Sequence, residues 1–128
     1  MNPADFMTKA ARALASARLL LEAGDTDGAC NRIYYAMFDA AKAALLATGA
    51  PPEAIDAKTH SGLIAAFSLH VVKRGFVAAD HGRSFNRLHE LRMIADYRGD
   101  SIEEPQILQA VADTTAFIAA VEALVKER

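Results

Sequence analysis

"GACNRIYYAMFDAAKAALLATG", Gly28 to Gly49, decides how the rest of the chain is read. Asp25, Thr26 and Asp27 ahead of it offer side-chain caps, and Gly49 with Pro51 and Pro52 ends it, so it reads as one long helix reaching about Thr48. At 3.6 residues per turn, Arg32, Tyr35, Ala36 and Asp39 share one face of that helix. Tyr34 falls with Met37, Phe38, Ala41 and Leu45, and its ring is expected in the core with the hydroxyl at an edge. The stretch therefore divides its labour, with Tyr34 for packing and the Arg32, Tyr35, Asp39 stripe for polar chemistry.

Working outward, glycine and proline fall between periodic segments, and no β-branched alternation is long enough to argue for a sheet. The expected fold class is all-α. Asn2 and Pro3 resemble an N-cap and first turn, and Phe6, Ala10, Ala13, Leu14, Ala17 and Leu21 recur at helical spacing until Gly24. A third helix is expected from near Thr59 to about Lys73, closed by Gly75, and a fourth from about Asp80 to Arg98, closed by Gly99. Ser101, Glu103, Glu104 and Pro105 signal the start of a fifth, with Ile107, Val111, Ile118, Val121 and Val125 as its buried stripe. Short connections between long helices favour an antiparallel up-and-down bundle of four to five helices, with an apolar face left for a second copy.

The 128 residues suit a single domain, residues 1–128, with one sizeable core. A hydrophobic fraction of 52% and a charged fraction of 23% are those of a globular protein. With a formal charge of −2, any nucleic-acid binding must come from a local cluster of Arg and Lys rather than from the whole field. The lone Cys30 can form no internal disulfide and is expected as a small buried hydrophobe. Asp5, Arg12 and Arg18 break the apolar run of the N-terminus, which suits neither a signal peptide nor a membrane span, and the expected location is cytoplasmic.

Helix four repeats the arithmetic of helix two. His89, Arg92 and Asp96 lie on one face, and Tyr97 follows beside them. A guanidinium held by a carboxylate next to a titratable imidazole suits binding of a phosphodiester and movement of a proton. His60, in "KTHSG", stands at the start of helix three, where the dipole lowers an imidazole pKa. No paired Cys motif, HExxH or carboxylate cluster argues for a metal site, and there is no glycine-rich phosphate loop. No metal or cofactor is expected.

The segment opening with Gly28, then "KTHSG" followed by Phe67, then "LRMIADY" from Leu91 to Tyr97, together resemble the HEPN domain in its small stand-alone prokaryotic branch. The likeness runs in order over nearly the whole chain. It implies a helical bundle that forms a two-fold homodimer with polar grooves where the copies meet. It also implies a toxin and antitoxin pairing with a separate minimal nucleotidyltransferase, and in many members metal-independent endoribonuclease activity. In those nucleases an Arg is followed after about four to six residues by a His, supplied by both protomers to a composite site.

Here Arg92 matches the family arginine, but after four intervening residues Tyr97 stands where a nuclease would usually carry histidine. Arg83 and His89 satisfy the spacing as a string, yet six helical steps put them roughly 120° apart. The first expectation is therefore a nucleotide-binding or RNA-binding, toxin-like module with Arg32, Tyr35, His60 and Tyr97 in the binding groove beside Arg92 and Asp96. In it Tyr97 is also a candidate acceptor for adenylylation by the partner. The second is an active ribonuclease using Arg92, Asp96 and His89, or His60. The third is a non-catalytic helical interaction dimer. None calls for a membrane, and no DNA specificity is evident.

Overall fold

The computed structural model describes residues 1–99 and 101–128. Six α-helices follow one another: α1 (Pro3–Glu22), α2 (Thr26–Ala47), α3 (Pro52–Ile55), α4 (His60–Phe67), α5 (Ala79–Arg98) and α6 (Glu104–Lys126). The single-turn α3 was not foreseen; Pro51 and Pro52 end α2 as expected, and Pro52 then supplies the fixed φ that opens the new turn. The expected third helix is α4 plus a π-helical turn at Ser68–Val72, a widening that lets the chain leave α4 before Gly75 closes it at φ +80°. Among the described residues there is no strand.

The ends form for the reasons the sequence suggests. Asn2 Oδ1 accepts from the Asp5 N–H at 2.9 Å while Asp5 Oδ2 accepts from the Asn2 N–H at 3.0 Å, a reciprocal cap on α1. Asp25 caps α2 by accepting from the Gly28 N–H at 2.8 Å. At α6 the cap is Glu103 rather than Ser101, and Gln106 reaches back to the Glu103 N–H at 3.2 Å.

The α1–α2 hairpin turns at Gly24, φ +83°, and is the most extensive helix pairing in the molecule. Ala10, Ala13 and Ala17 of α1 are buried, and small side chains let the two backbones approach. α2 is the central element: it packs on α1, α4, α5 and α6, and Ile33, Tyr34, Met37 and Leu45 are wholly buried on it. Each such large side chain contributes about 1.5–3 kcal/mol. Beneath it, Phe67, Phe85 and Phe117 pack edge-to-face or tilted with centroids 5.0–5.9 Å apart, and Tyr34 meets Phe85 at 6.3 Å. That aromatic cluster fixes the spacing of α2, α4 and α5, and so positions the site. α6 is long and apolar enough to cross a membrane by length and composition, but Ile107, Thr114, Phe117, Val121 and Leu124 form a buried stripe along it.

Candidate functional site

Three elements converge where α5 crosses α2. α2 presents Arg32, Tyr34, Tyr35 and Phe38, the first residue of α4 is His60, and α5 presents His89, Arg92 and Asp96. The start of α4 is held by Thr59, whose hydroxyl accepts from the Gly62 N–H at 2.9 Å. A Cβ on Gly62 would stand 2.8 Å from that hydroxyl, so the glycine of "KTHSG" leaves room for the cap that aims His60.

Arg92 is the hub. Its side chain is 17% exposed, its Cζ lies 4.8 Å from the Tyr34 ring centre and 5.5 Å from that of Tyr35, and its Nη1 stands 2.9 Å from His60 Nδ1. A guanidinium only donates, so Nδ1 accepts and neutral His60 carries its proton on Nε2. Asp96 Oδ2 is 3.4 Å from Arg92 Nε, close enough for charge attraction but not aligned for a hydrogen bond. Arg32 places its Cζ 5.5 Å from the Tyr35 ring, so that ring has a guanidinium from each of two helices beside it.

The aromatic surround is continuous. The Tyr34 ring lies 5.2 Å from His60 and 5.9 Å from His89, and Phe38 lies 5.3 Å from His60. Burial pushes the Tyr34 hydroxyl up to about 12, with Arg92 opposing and Tyr35 adding to the rise. Burial lowers the His60 pKa, reinforced by the Arg92 charge and His89. The helix dipole is thus not needed to explain His60, and His60 is not the isolated capping residue that a lone histidine suggests. Burial first, and Asp96 next, raises Cys30 to about 12, which makes it the inert buried thiol expected.

Among the described residues, four buried polar atoms at or beside this centre make no hydrogen bond: Arg32 Nε, Tyr34 Oη, His89 Nδ1 and Arg92 Nε. A buried polar atom left so costs about 1–3 kcal/mol, and an acceptor-rich group such as a phosphate matches the donors among them.

Of the residues singled out from sequence, Arg32, Tyr35, His60, His89, Arg92 and Asp96 come together here. Tyr97 does not: it is 78% exposed and lines a shallow hollow of about 570 Å³ with Met93 and Ile94, which meets the centre only at His89. Arg83 pairs with Asp80 on the surface, so the Arg83 and His89 string is not a spatial unit. Asp39 forms no ion pair among the described residues, and burial raises its pKa against the pull of Lys9, Lys42 and Arg32. Tyr34 and Phe38 are the site residues that sequence reasoning assigned to packing alone; periodicity on one helix carried no signal that α4 and α5 would bring His60 and Arg92 to them. An apolar groove of about 500 Å³ between α5 and α6, floored by Met37 and Leu88, holds no imidazole and is not where these groups meet.

The fold and centre define an all-α bundle with a buried Arg, His and Tyr cluster at a helix crossing. The chain belongs to the HEPN domain family, which it matches over residues 4–124. It is 36% identical to a UPF0332 protein of Thermotoga maritima over 121 residues, 93% of this chain and 87% of that protein. It is 32% identical over 114 residues to a Methanocaldococcus jannaschii protein named "Putative toxin MJ0605", covering 89% of this chain and 81% of that one.

Proposed function

We propose that this chain is a toxin-like HEPN protein that binds a nucleotide or RNA phosphate at Arg92, acting as a homodimer with a separate minimal nucleotidyltransferase. The observation that carries the reading is Arg92 itself. Its guanidinium is held between two tyrosine rings and an accepting imidazole, with buried polar atoms around it that have no partner among the described residues. Arg92 takes the phosphate, Asp96 orients it, and Tyr35 offers a face for a base. The toxin-like part draws on family membership and on the name of the Methanocaldococcus jannaschii relative. The partner draws on the family resemblance, and dimerisation on that resemblance together with the apolar faces of α5.

A ribonuclease reading is favoured by one observation, the presence of two imidazoles beside the Tyr34 ring on which the Arg92 guanidinium also lies. His60 Nδ1 already accepts from Arg92, so the base for a 2′-hydroxyl falls to His89. In that step the 2′-oxygen bonds to phosphorus as its proton passes to the imidazole. The bond from phosphorus to the 5′-oxygen then breaks, that oxygen takes up a proton, and Arg92 steadies the charged phosphorane.

One experiment separates the readings: purified protein is incubated with mixed cellular RNA in excess chelator, and binding of labelled AMP and of a dinucleotide is measured beside it. Binding that Arg92→Ala loses, without cleavage, is the result expected. Cleavage lost in both Arg92→Ala and His89→Ala would move the reading to nuclease. Binding and cleavage both absent from a folded wild-type protein would leave the interaction dimer.

A further inference from the structure

The chemistry around Arg92 continues along α2 past Tyr35. Phe38 lies 6.1 Å from Tyr35, Lys42 Nζ sits 5.1 Å from the Phe38 ring centre and 5.9 Å from that of Phe6 on α1, and Lys9 Nζ is 6.0 Å from Phe6. Cations and rings therefore alternate from Arg32 and Tyr35 through Phe38 and Lys42 to Phe6 and Lys9. Among the described residues none of these three cations makes an ion pair. Asp39 lies among them and feels the charge of all three cations, Lys9, Lys42 and Arg32.

From Arg32 to Lys42 is ten residues of helix, or about 15 Å at 1.5 Å each. At 3.4 Å per stacked nucleotide, that is the length of roughly four nucleotides. A ring every turn with a cation beside it is the arrangement that holds single strands: bases stack on the rings, and the displaced ammonium groups meet the flanking phosphates. A duplex keeps its base faces stacked inside and cannot use the rings, and an acidic peptide would use the lysines without needing them.

We infer that the α1–α2 face from Tyr35 to Lys9 is a track for single-stranded RNA that continues from the Arg92 centre, the stretch from Arg32 onward holding about four nucleotides. The inference rests on the proposed function, since Arg92 anchors one end of the strand.

The test is fluorescence anisotropy with labelled oligouridylates of two, four and eight nucleotides and an RNA hairpin duplex. Wild type, a Lys9→Gln/Lys42→Gln double variant, a Lys9→Glu/Lys42→Glu double variant and Arg92→Ala are compared, with helicity checked by circular dichroism. Expected is at least a tenfold gain in affinity from two to four nucleotides in wild type. Both double variants lose that gain while keeping dinucleotide affinity, and in the Gln pair the salt slope is shallower by about 1.4, two phosphates at roughly 0.7 each. Phe6→Leu cuts the gain several-fold.

Dinucleotide binding without any gain in length overturns the track and leaves the Arg92 reading standing. So does a gain that both double variants retain, or equal affinity for the duplex. Polyglutamate that displaces the eight-nucleotide RNA as well as unlabelled RNA does would assign the face to an acidic protein instead. Dinucleotide binding that Arg92→Ala leaves unchanged sinks the proposed function by itself, because it removes the anchor whatever the longer strands do.

Discussion

Two places in this molecule set a pair of guanidiniums beside aromatic rings, and they differ in what surrounds them. Near the far end of α2, Arg74 and Arg128 lie with Cζ 4.9 and 4.5 Å from the Phe76 ring, and Arg74 Nη1 donates to the Thr48 carbonyl at 3.3 Å. That arginine serves a carbonyl at the end of α2, and Phe76 has no polar atom to offer. At the other crossing, Arg32 and Arg92 flank tyrosines whose neighbours are two histidines, and buried polar atoms there lack partners among the described residues. Stacking of cation on ring is common to both and so does not mark a site; what marks it is polar capacity that the fold leaves unused.

The largest effect that tests this contrast is on ligand affinity. Arg92→Ala should weaken nucleotide or RNA binding by tenfold or more, about 1.5–3 kcal/mol for hydrogen bonds to a charged group, in a direct titration. Arg74→Ala should leave that affinity unchanged and cost about 1 kcal/mol of stability in urea unfolding, since it removes one hydrogen bond at the end of α2. If Arg74→Ala weakened binding as much as Arg92→Ala, the two arginine clusters would have to be treated alike.

A third test uses pH. The folded state holds His60 neutral and lowers its pKa, so the unfolded chain binds the proton more readily. Stability therefore stands in full above the unfolded value of roughly 6.5 and falls as pH drops below it toward the lowered folded pKa. The raised pKa of Asp39 acts in the opposite sense at lower pH, so the comparison is wild type against His60→Gln. The variant should lose the His60 part of the slope in thermal unfolding followed between about pH 5 and 7. Equal slopes in both proteins would mean that burial beside Arg92 does not lower the His60 pKa in the folded state.

The smallest effect is at Tyr34. Tyr34→Phe keeps the ring in the core and removes a buried hydroxyl that has no partner, so stability should stay within about 1 kcal/mol or rise. Binding should fall by a measurable factor if the hydroxyl meets the ligand. Phe85, whose ring supports Tyr34 from the core, offers the contrasting control: Phe85→Leu should lower stability without changing the ligand's relative preference for Arg92.

Much of the fold could be read from sequence because its signals are local. Asn2 with Pro3, Asp25, Thr59 and the glycines at 24, 49, 75 and 99 mark helix ends through hydrogen bonds within a few residues or through positive φ, and the structure uses each of them. The one-turn α3 and the π turn at Ser68–Val72 escaped, because both are adjustments by which a short segment fits its neighbours. The site was legible in half. His89, Arg92 and Asp96 share a face by periodicity alone, as do Arg32 and Tyr35. Tyr97, adjacent in sequence to Asp96, turned out to face solvent because one further helical step rotates it by about 100°.

What the sequence determined by itself is the five longer helices, the faces their polar residues occupy, and membership of the HEPN family, which spans residues 4–124. What only the tertiary structure decided is which faces meet: His60 reaches Arg92 across 32 residues of chain, and Tyr34 serves the core and the site at once. The physical reason is that helical periodicity fixes an angle around one axis. The distance between side chains on different helices is set instead by how the alanines of α1 and α2 and the clustered phenylalanines of the core let those axes pack.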